Sequence, residues 1–389
     1  MSYDFETLTP ARDKCPAVWD MVRRGGITDP DGICYGVAET KFPLAPEIKA
    51  ALRDCVEDGY FGYICGNCND PVCDFFARRH GWQTKPEWLT QTHGVVSAIG
   101  VCIRAFTKPG EGVIIQTPVY NPFADNIRMN GRVVVENPLL RGDTRYEMDF
   151  DDLERKAADP NTTMMVLCSP HNPVGRVWSR AELERVSEIC RRSGVLVVSD
   201  EIHCDLTYGA KHTMYGALSP EAEQSCVVCT APSKTFNVPG LVTSNIFVPN
   251  AELRARFQAE QERSAGHFVN VPGLAAEAAA YTKCDGWLDG LQQYLGENAK
   301  LFYHLVREKL PRAWTPVMEG TYLAWLDLGY LGLDDEALKK LVMEQAQLYV
   351  NMGSVYGTGG SGFVRVNLGC PRRYVEKFVD QLAAAIEKL

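Results

Sequence analysis

Short apolar runs alternate with amphipathic segments through the middle of this chain. Four runs are apolar except at their end residues and predict buried strands: residues 112–116, 132–135, 163–168 and 195–199. Between the last two, Ser179 and Glu182 have the spacing of a capping box, which predicts a helix that runs to about Ser193 and ends at Gly194. Continuous apolar strands separated by such helices indicate an α/β fold with a parallel sheet covered on both faces.

The pattern changes after about residue 285. Residues 321–326 and 362–367 alternate like half-buried strands. The last segment places one apolar stripe on a helix, formed by Val375, Phe378, Val379, Leu382 and Ile386. We therefore expect a large domain over residues 46–284 and a smaller α+β domain over 285–389. Residues 1–45 are expected to be irregular and to pack on the small domain.

Composition and charge exclude several classes of function. The chain has 389 residues, of which 46% are hydrophobic and 23% are charged, an ordinary globular profile. Its net charge of -9 argues against a general nucleic-acid binder, because no basic surface is available to follow phosphates. No apolar run approaches the roughly 20 residues of a membrane span. The acidic first residues do not have the pattern of a signal peptide, so we expect a cytoplasmic protein without a membrane partner.

The 14 cysteines are scattered, and many lie inside apolar runs, where a free thiol behaves as a small hydrophobic side chain. Cys65, Cys68 and Cys73 form one cluster whose spacing is loosely similar to iron–sulfur ligation. A fourth ligand is not evident nearby, and the second CxxC pair of a zinc site is missing. We therefore predict no metal site and reduced thiols.

Three polar residues follow predicted strands. Lys234 follows the apolar pair Val227-Val228, Asp200 comes directly after the 195–199 run, and Asn172 follows the 163–168 run. Ligands of parallel sheets bind beyond the carboxyl ends of the strands, so these side chains are expected to meet. An amine for a Schiff base, a carboxylate for the ring nitrogen and an amide donor for the phenolic oxygen are what pyridoxal 5'-phosphate (PLP) requires. The sequence therefore predicts a PLP site.

The cofactor phosphate needs hydrogen-bond donors. Gly94, Val95 and Val96 lie in a glycine turn that enters a predicted helix, whose first N–H groups can bind an anion. Ser233, next to the lysine, can add a hydroxyl. A glycine turn alone does not identify a phosphate site. It indicates one here because the other PLP motifs are present in the same chain.

Two further residues complete the predicted site. Tyr120 follows the 112–116 strand and can stack on the cofactor ring. Arg365, in the 362–367 strand, can bind the carboxylate of an amino-acid substrate with its two-pronged guanidinium. Each of these residues also has an ordinary structural interpretation when judged singly: a packed tyrosine or a surface arginine.

With these motifs in place, the chain resembles the fold-type I PLP-dependent enzymes of the class I/II aminotransferase superfamily. More narrowly, it resembles the MalY/PatB group of cystathionine β-lyases and cysteine desulfhydrases, which includes cystalysin. His203 contributes to this likeness, because typical aminotransferases have a tyrosine there and the β-lyase group has histidine. The more specific stretches are residues 61–63, 169–177, 199–205, 232–237, 321–328 and 363–372.

The resemblance implies an aspartate aminotransferase-like architecture: a mostly parallel, seven-stranded sheet between helices, plus the smaller domain. It implies a homodimer with active sites at the subunit interface, with Tyr63 reaching the cofactor phosphate of the partner. Lys234 and Tyr120 would be catalytic, and His203 would lie at the cofactor.

The resemblance also implies a reaction. We expect a C–S β-lyase that acts on cystathionine, cysteine or a related β-substituted amino acid and releases a thiol, pyruvate and ammonia. A PLP-dependent aminotransferase is the alternative, because both reactions begin with removal of the Cα proton. A regulatory, protein-binding role is a further alternative.

The chain departs from the group at three places. Ala231 replaces a serine that usually helps to bind the phosphate. Lys41, in the run from Glu39 to Phe42, replaces an acidic residue. The segment from Cys65 to Cys73 is the third departure. The last two bear on the substrate, whose side-chain pocket we expect around Tyr35, Lys41, Cys65 and Tyr356.

Overall fold

The computed structural model describes residues 3–9, 17–63, 67–264 and 269–389. The helices of these residues are α1 (Ala17–Arg24), α2 (Pro46–Asp58), α3 (Asn69–His80), α4 (Val95–Phe106), α5 (Pro122–Met129), α6 (Phe150–Ala157), α7 (Arg180–Ser193), α8 (Pro220–Gln224), α9 (Pro232–Thr235), α10 (Ala251–Arg263), α11 (Val271–Lys283), α12 (Asp285–Lys309), α13 (Asp335–Lys339) and α14 (Arg372–Ile386). The strands are β1 (Leu89–Thr92), β2 (Gly112–Ile115), β3 (Val133–Glu136), β4 (Leu140–Arg141), β5 (Tyr146–Glu147), β6 (Thr162–Cys168), β7 (Leu196–Asp200), β8 (Cys226–Thr230), β9 (Ser244–Phe247), β10 (Leu323–Asp327), β11 (Asn351–Met352) and β12 (Phe363–Asn367).

The large sheet has seven strands in the described chain, in the order β1-β9-β8-β7-β6-β2-β3. The strands from β8 to β3 run parallel, whereas β9 is antiparallel to both of its neighbours. The predicted α/β fold with a mostly parallel seven-stranded sheet is therefore confirmed. The parallel order brings the carboxyl ends of β6, β7 and β8 to one edge, where a ligand site is expected.

Both faces of the large sheet are buried, as its apolar strands predict. In β6, Met165 and Leu167 face one core, while Met164 and Val166 face the other. Helices α4, α5 and α10 cover the second of these faces. The predicted capping box is present at the start of α7, where the side chain of Ser179 accepts from the Glu182 N–H, and Gly194 ends the helix with a left-handed φ of 69°.

The small sheet has the antiparallel order β10-β12-β11. The expectation that its strands are half-buried was wrong, because both faces are covered. Ala324 and Val364 face the small-domain core, whereas Trp325 and Phe363 stack at 4.9 Å and join the core of the large domain. Residues alternate along a strand, so the face that holds Phe363 also holds Arg365 and turns it towards the large domain.

The N-terminal segment contacts both parts of the molecule. On the large domain, the Thr40 N–H donates to Oδ1 of Asn237 at 2.9 Å. On the small domain, Phe5 packs against Trp287 of α12 at 5.8 Å. The Tyr35 N–H donates to the carbonyl of Tyr349, and the Tyr35 carbonyl accepts from the Asn367 N–H, each at 2.8 Å. The segment is not wholly irregular, since it contains α1. The domain boundaries at residues 45 and 284 stay a prediction. Among the described helices, none combines the length and apolar character needed to cross a membrane.

Candidate active site

A cavity of about 170 Å³ lies where β6, β7 and β8 end and α4 begins. The structure brings together at this cavity every predicted site residue except Tyr63 and Arg365. The predicted residues that line it are Gly94, Val95, Val96, Tyr120, Asn172, Asp200, His203, Ser233 and Lys234. Chain segments that are far apart in sequence therefore converge on one pocket.

Lys234 lies in α9, a single turn that starts at Pro232 directly after β8. Its amine Nζ donates a hydrogen bond of 2.7 Å to the carbonyl oxygen of Ala38. Burial lowers the pKa of the Lys234 amine to about 8, and the nearby charge of Arg365 acts in the same direction. A substantial fraction of the amine is therefore neutral near physiological pH, as a nucleophile or a general base requires.

Asp200 is the last residue of β7 and is 5% exposed. Its Oδ1 accepts from the backbone N–H of Ile202 at 3.1 Å. Burial raises the pKa of the Asp200 carboxyl to about 7, although the Ile202 N–H opposes this shift. A buried carboxyl with so raised a pKa is poised to bind a cation in the cavity.

Arg365 lies behind the cavity and contacts one residue that lines it. Its Nη1 donates to Oδ1 of Asn172 at 3.1 Å, and its Nη2 donates to the carbonyl of Gly36 at 2.6 Å. The guanidinium lies over the ring of Tyr356, with its central carbon 5.3 Å from the ring centroid. Arg365 is 2% exposed, and its Nε has no hydrogen-bond partner among the described residues. A buried guanidinium with an unused donor is suited to a carboxylate ligand.

The first turn of α4 forms another wall of the cavity. Gly94 precedes the helix with φ of 94°, a left-handed conformation that favours glycine, and no side chain of the described residues caps the helix. The first helical bond runs from the Ala98 N–H to the Gly94 carbonyl, so the N–H groups of Val95 and Val96 have no partner within the helix. A Cβ at Gly94 would meet no atom within 4 Å. Open space beside N–H groups that have no partner within the helix fits an anion such as a phosphate.

Tyr120 and His203 complete the described wall. The Tyr120 N–H donates to the Asn172 carbonyl at 3.1 Å, which fixes the backbone of the tyrosine beside the cavity. Burial lowers the pKa of His203 to about 3, assisted by the charges of Lys234 and Arg365. The imidazole is therefore neutral, and its Nδ1 has no hydrogen-bond partner in the described parts of the chain.

Some predicted residues lie away from the cavity. Tyr63 is 87% exposed on the surface of its own chain. Cys65 lies outside the described residues, and Cys68 donates to the carbonyl of Leu274 at 3.2 Å. Tyr35 does not line a side-chain pocket as expected, because its ring packs on Phe378 in the small-domain core.

Sequence reasoning missed six residues that line the cavity: Ala38, Cys168, Ile202, Pro239, Val242 and Thr243. Two of them carried a signal, since Cys168 ends β6 and Ile202 lies between two predicted site residues. Ala38 carried none, because it is an alanine almost 200 residues from the lysine that it contacts.

A family model places this chain in a known class. The model for aminotransferase class I and II matches residues 57–382, and the chain belongs to this family.

Relatives narrow the class further. The chain is 40% identical to cystathionine beta-lyase PatB of Bacillus subtilis over 364 residues, which cover 93% of this chain and 94% of that protein. It is 34% identical to protein MalY of Escherichia coli over 390 residues, covering 99% of each chain. The solved structure of cystalysin from Treponema denticola, which contains a PLP cofactor, matches with a TM-score of 0.97 and 34% identity over all of both chains.

Proposed function

We propose that this chain is a PLP-dependent C–S β-lyase that acts on cystathionine, cysteine or a related β-substituted amino acid. The observation that carries the proposal is the single cavity shared by Lys234, Asp200 and Asn172, with Arg365 directly behind Asn172. The names of the relatives support it, because PatB is a cystathionine beta-lyase and the cystalysin structure contains PLP.

The residues present fit the cofactor. Lys234 would hold the aldehyde carbon, Asp200 would pair with the ring nitrogen, and the amide nitrogen of Asn172 would donate to the phenolic oxygen. The raised pKa of Asp200 and the uncapped start of α4 are the two features that a cationic ring nitrogen and a phosphate would satisfy. Tyr120 would stack on the ring, and Ser233 would add a phosphate donor. His203 would stay neutral beside the site.

Ala231 offers nothing in place of the serine that related enzymes use. It precedes α9 without any side-chain hydrogen bond to the helix, and it is buried. The phosphate would therefore depend on α4 and Ser233 in this chain.

The chain's own residues then account for the first chemical step. Arg365 would bind the substrate α-carboxylate and orient the Cα–H bond towards Lys234. With its pKa near 8, the neutral amine of Lys234 would remove the Cα proton. PLP supplies an electron sink for the charge left at Cα.

Elimination follows from a leaving group at Cβ. The bond between Cβ and sulfur would break, the electron pair would leave with the thiolate, and Lys234 would donate to the thiolate the proton that it holds. The three-carbon fragment that remains after the thiol leaves would be hydrolysed by water to pyruvate and ammonia. The reaction therefore needs no oxidant.

An aminotransferase is the second candidate, because Lys234 would remove the same Cα proton but return it to a different carbon atom. His203 favours elimination by resemblance to the β-lyase group. A regulatory role through protein contacts would not require the cavity, so the assembled site favours catalysis. A cytoplasmic location stays our prediction.

We also propose a homodimer. Three aromatic side chains after α2 are exposed: Tyr60 by 66%, Phe61 by 57% and Tyr63 by 87%. Exposed aromatic residues so close together are typical of a surface that a partner covers. A second copy would cover them and receive Tyr63 at its phosphate.

The test is product formation by the PLP-loaded enzyme. Incubation with cysteine or cystathionine, without an added keto acid, should yield pyruvate in proportion to the thiol released. Turnover that depends strictly on a keto acid would establish the aminotransferase instead.

A further inference from the structure

Residues 36–41, here called the strap, cross the site between its two main cations. The carbonyl of Gly36 accepts from Arg365 at 2.6 Å, and the carbonyl of Ala38 accepts from Lys234 at 2.7 Å. The strap therefore spans the gap between the proposed carboxylate-binding group and the proposed base. Ala38 itself lines the cavity, so the residues that follow it begin at the wall of the site.

The backbone of the strap is firmly held. The side-chain amide of Asn367 donates to the carbonyls of Val37 at 2.6 Å and Glu39 at 2.7 Å. Asn237, three residues after Lys234, exchanges two hydrogen bonds of 2.9 Å with the backbone of Thr40. Side chains on a backbone with so many anchors have fixed origins, as selection of a substrate requires.

Two strap side chains form an ion pair. Nζ of Lys41 lies 3.1 Å from Oε1 of Glu39, and the two side chains are 8% and 30% exposed. Glu39 is the one carboxylate within ion-pair distance of Lys41 among the described residues. Removal of either partner would leave a mostly buried charge without its counter-charge.

The charge of the Glu39 carboxylate acts on Tyr322. Burial raises the pKa of Tyr322, and the charge of Glu39 raises it further. The Tyr322 hydroxyl is buried and has no hydrogen-bond partner in the described residues, and its ring lies 5.9 Å from that of His203. Glu39 thus lies within electrostatic range of Tyr322, whose ring contacts that of the cavity residue His203.

We propose that the Glu39–Lys41 ion pair selects the substrate by the charge at the distal end of its side chain. Because the two charges cancel, the site favours amino acids whose distal group is uncharged, such as cysteine and S-alkyl cysteines. The distal zwitterion of cystathionine would gain no net attraction. This choice of substrate rests on the proposed lyase function, but the charge selection itself does not.

Equilibrium binding tests the selection without any elimination. The ligands are norvaline, ornithine and glutamate, which carry a neutral, a positive and a negative distal group and no β-leaving group. Their Kd values are measured calorimetrically on the PLP-loaded wild type, Lys41→Met, Glu39→Gln and the double variant, with circular dichroism and cofactor content as controls.

The wild type should bind norvaline more tightly than either charged ligand. Lys41→Met leaves the Glu39 charge unopposed and should shift the ornithine-to-norvaline affinity ratio towards ornithine by roughly tenfold. Glu39→Gln should shift the glutamate-to-norvaline ratio towards glutamate by a similar factor. The double variant, matched in shape but without charge, should return to the wild-type order.

Ratios that stay within twofold of wild type in both single variants would overturn the proposal. If Lys41→Met does not fold, the Glu39→Gln and double variants decide it by the same criterion. Failure of the lyase function gives a different result: no pyruvate from any thio-substituted substrate, with the ligand ratios still shifted.

Discussion

The side-chain oxygen of Asn172 accepts a 3.1 Å hydrogen bond from Arg365. This contact orients the amide so that its oxygen faces the small domain and its nitrogen is left as the donor. It also joins the loop after β6 to β12. One hydrogen bond therefore links Asn172, which is proposed to bind the cofactor, to Arg365, which is proposed to bind the substrate.

Asn172→Ala should therefore affect both binding and chemistry. Loss of a hydrogen bond to a charged group costs about 1.5–3 kcal/mol, which corresponds to a fall in kcat/KM of roughly 10- to 160-fold. Steady-state kinetics with cysteine measure the change. Asn172→Gln keeps the side-chain amide but moves it by one methylene group, and this variant serves as the matched control. Unchanged kinetics in Asn172→Ala would remove the residue from the site.

Lys234→Ala should abolish turnover while the fold is retained, because its amine is needed as the base and its packing role is small. Lys234→Arg is the matched control: it keeps a positive charge but has no accessible neutral form, so it should be equally inactive. Pyruvate formation and circular dichroism are measured together. A substantial residual rate in either variant contradicts the assignment.

Asp200→Asn should change how the stability of the cofactor-free protein depends on pH. The folded-state pKa of Asp200 is about 7, above its ordinary value of 3.8. The folded state therefore binds the proton more tightly, and this contribution is fully present below the ordinary pKa and is lost as the pH rises towards 7.

The Asp200→Asn variant has no carboxyl at this position, so it does not lose stability in this way as the pH rises. Cofactor-free Asp200→Asn should melt a few degrees above cofactor-free wild type near pH 8 and at about the same temperature near pH 4. Added PLP should stabilise the wild type more than the variant. A melting difference that does not change with pH would mean that Asp200 does not titrate as described.

We expect Thr235 to be a positioning residue for Lys234. Its hydroxyl donates to Oδ2 of Asp205 at 2.7 Å, and Oδ1 of the same carboxylate lies 2.7 Å from Nε2 of His80. Thr235 is adjacent to the lysine in the chain, but Thr235, Asp205 and His80 do not line the cavity. Thr235→Val keeps the shape and removes the donor, so kcat should fall about tenfold with little change in KM.

Thr235→Ser keeps the hydroxyl and should restore most of the rate. A merely structural role would instead lower the melting temperature of Thr235→Val without changing the kcat of the folded fraction. Active-site titration with PLP separates these two results.

Much of the fold was predictable because its determinants are local. The apolar runs of β6 and β7 and the capping box at Ser179 act over a few residues, and the structure confirms them within one residue. The burial of Trp325 and Phe363 was not predictable in this way. Their alternation indicated a strand, but the pattern could not show that the large domain covers the second face.

The site shows the same division. Asp200 and Lys234 were found because one lies at the carboxyl end of a strand of the parallel sheet and the other lies in the turn that follows the next strand. Ala38 was missed because it contributes a carbonyl oxygen, which every residue has, and only the folded chain brings it to Lys234. The importance of Lys41 was visible as a departure from related enzymes, but its partner Glu39 became evident only from the 3.1 Å contact.

In the proposed enzyme, Lys234 is the residue that carries the cofactor. Borohydride reduction of the PLP-loaded enzyme, followed by proteolysis and mass spectrometry, locates the lysine to which the cofactor is attached. We expect one phosphopyridoxyl group per chain, on the peptide that contains Lys234, and none in Lys234→Ala. A label on another lysine, or a fully loaded enzyme without any label, would contradict the account.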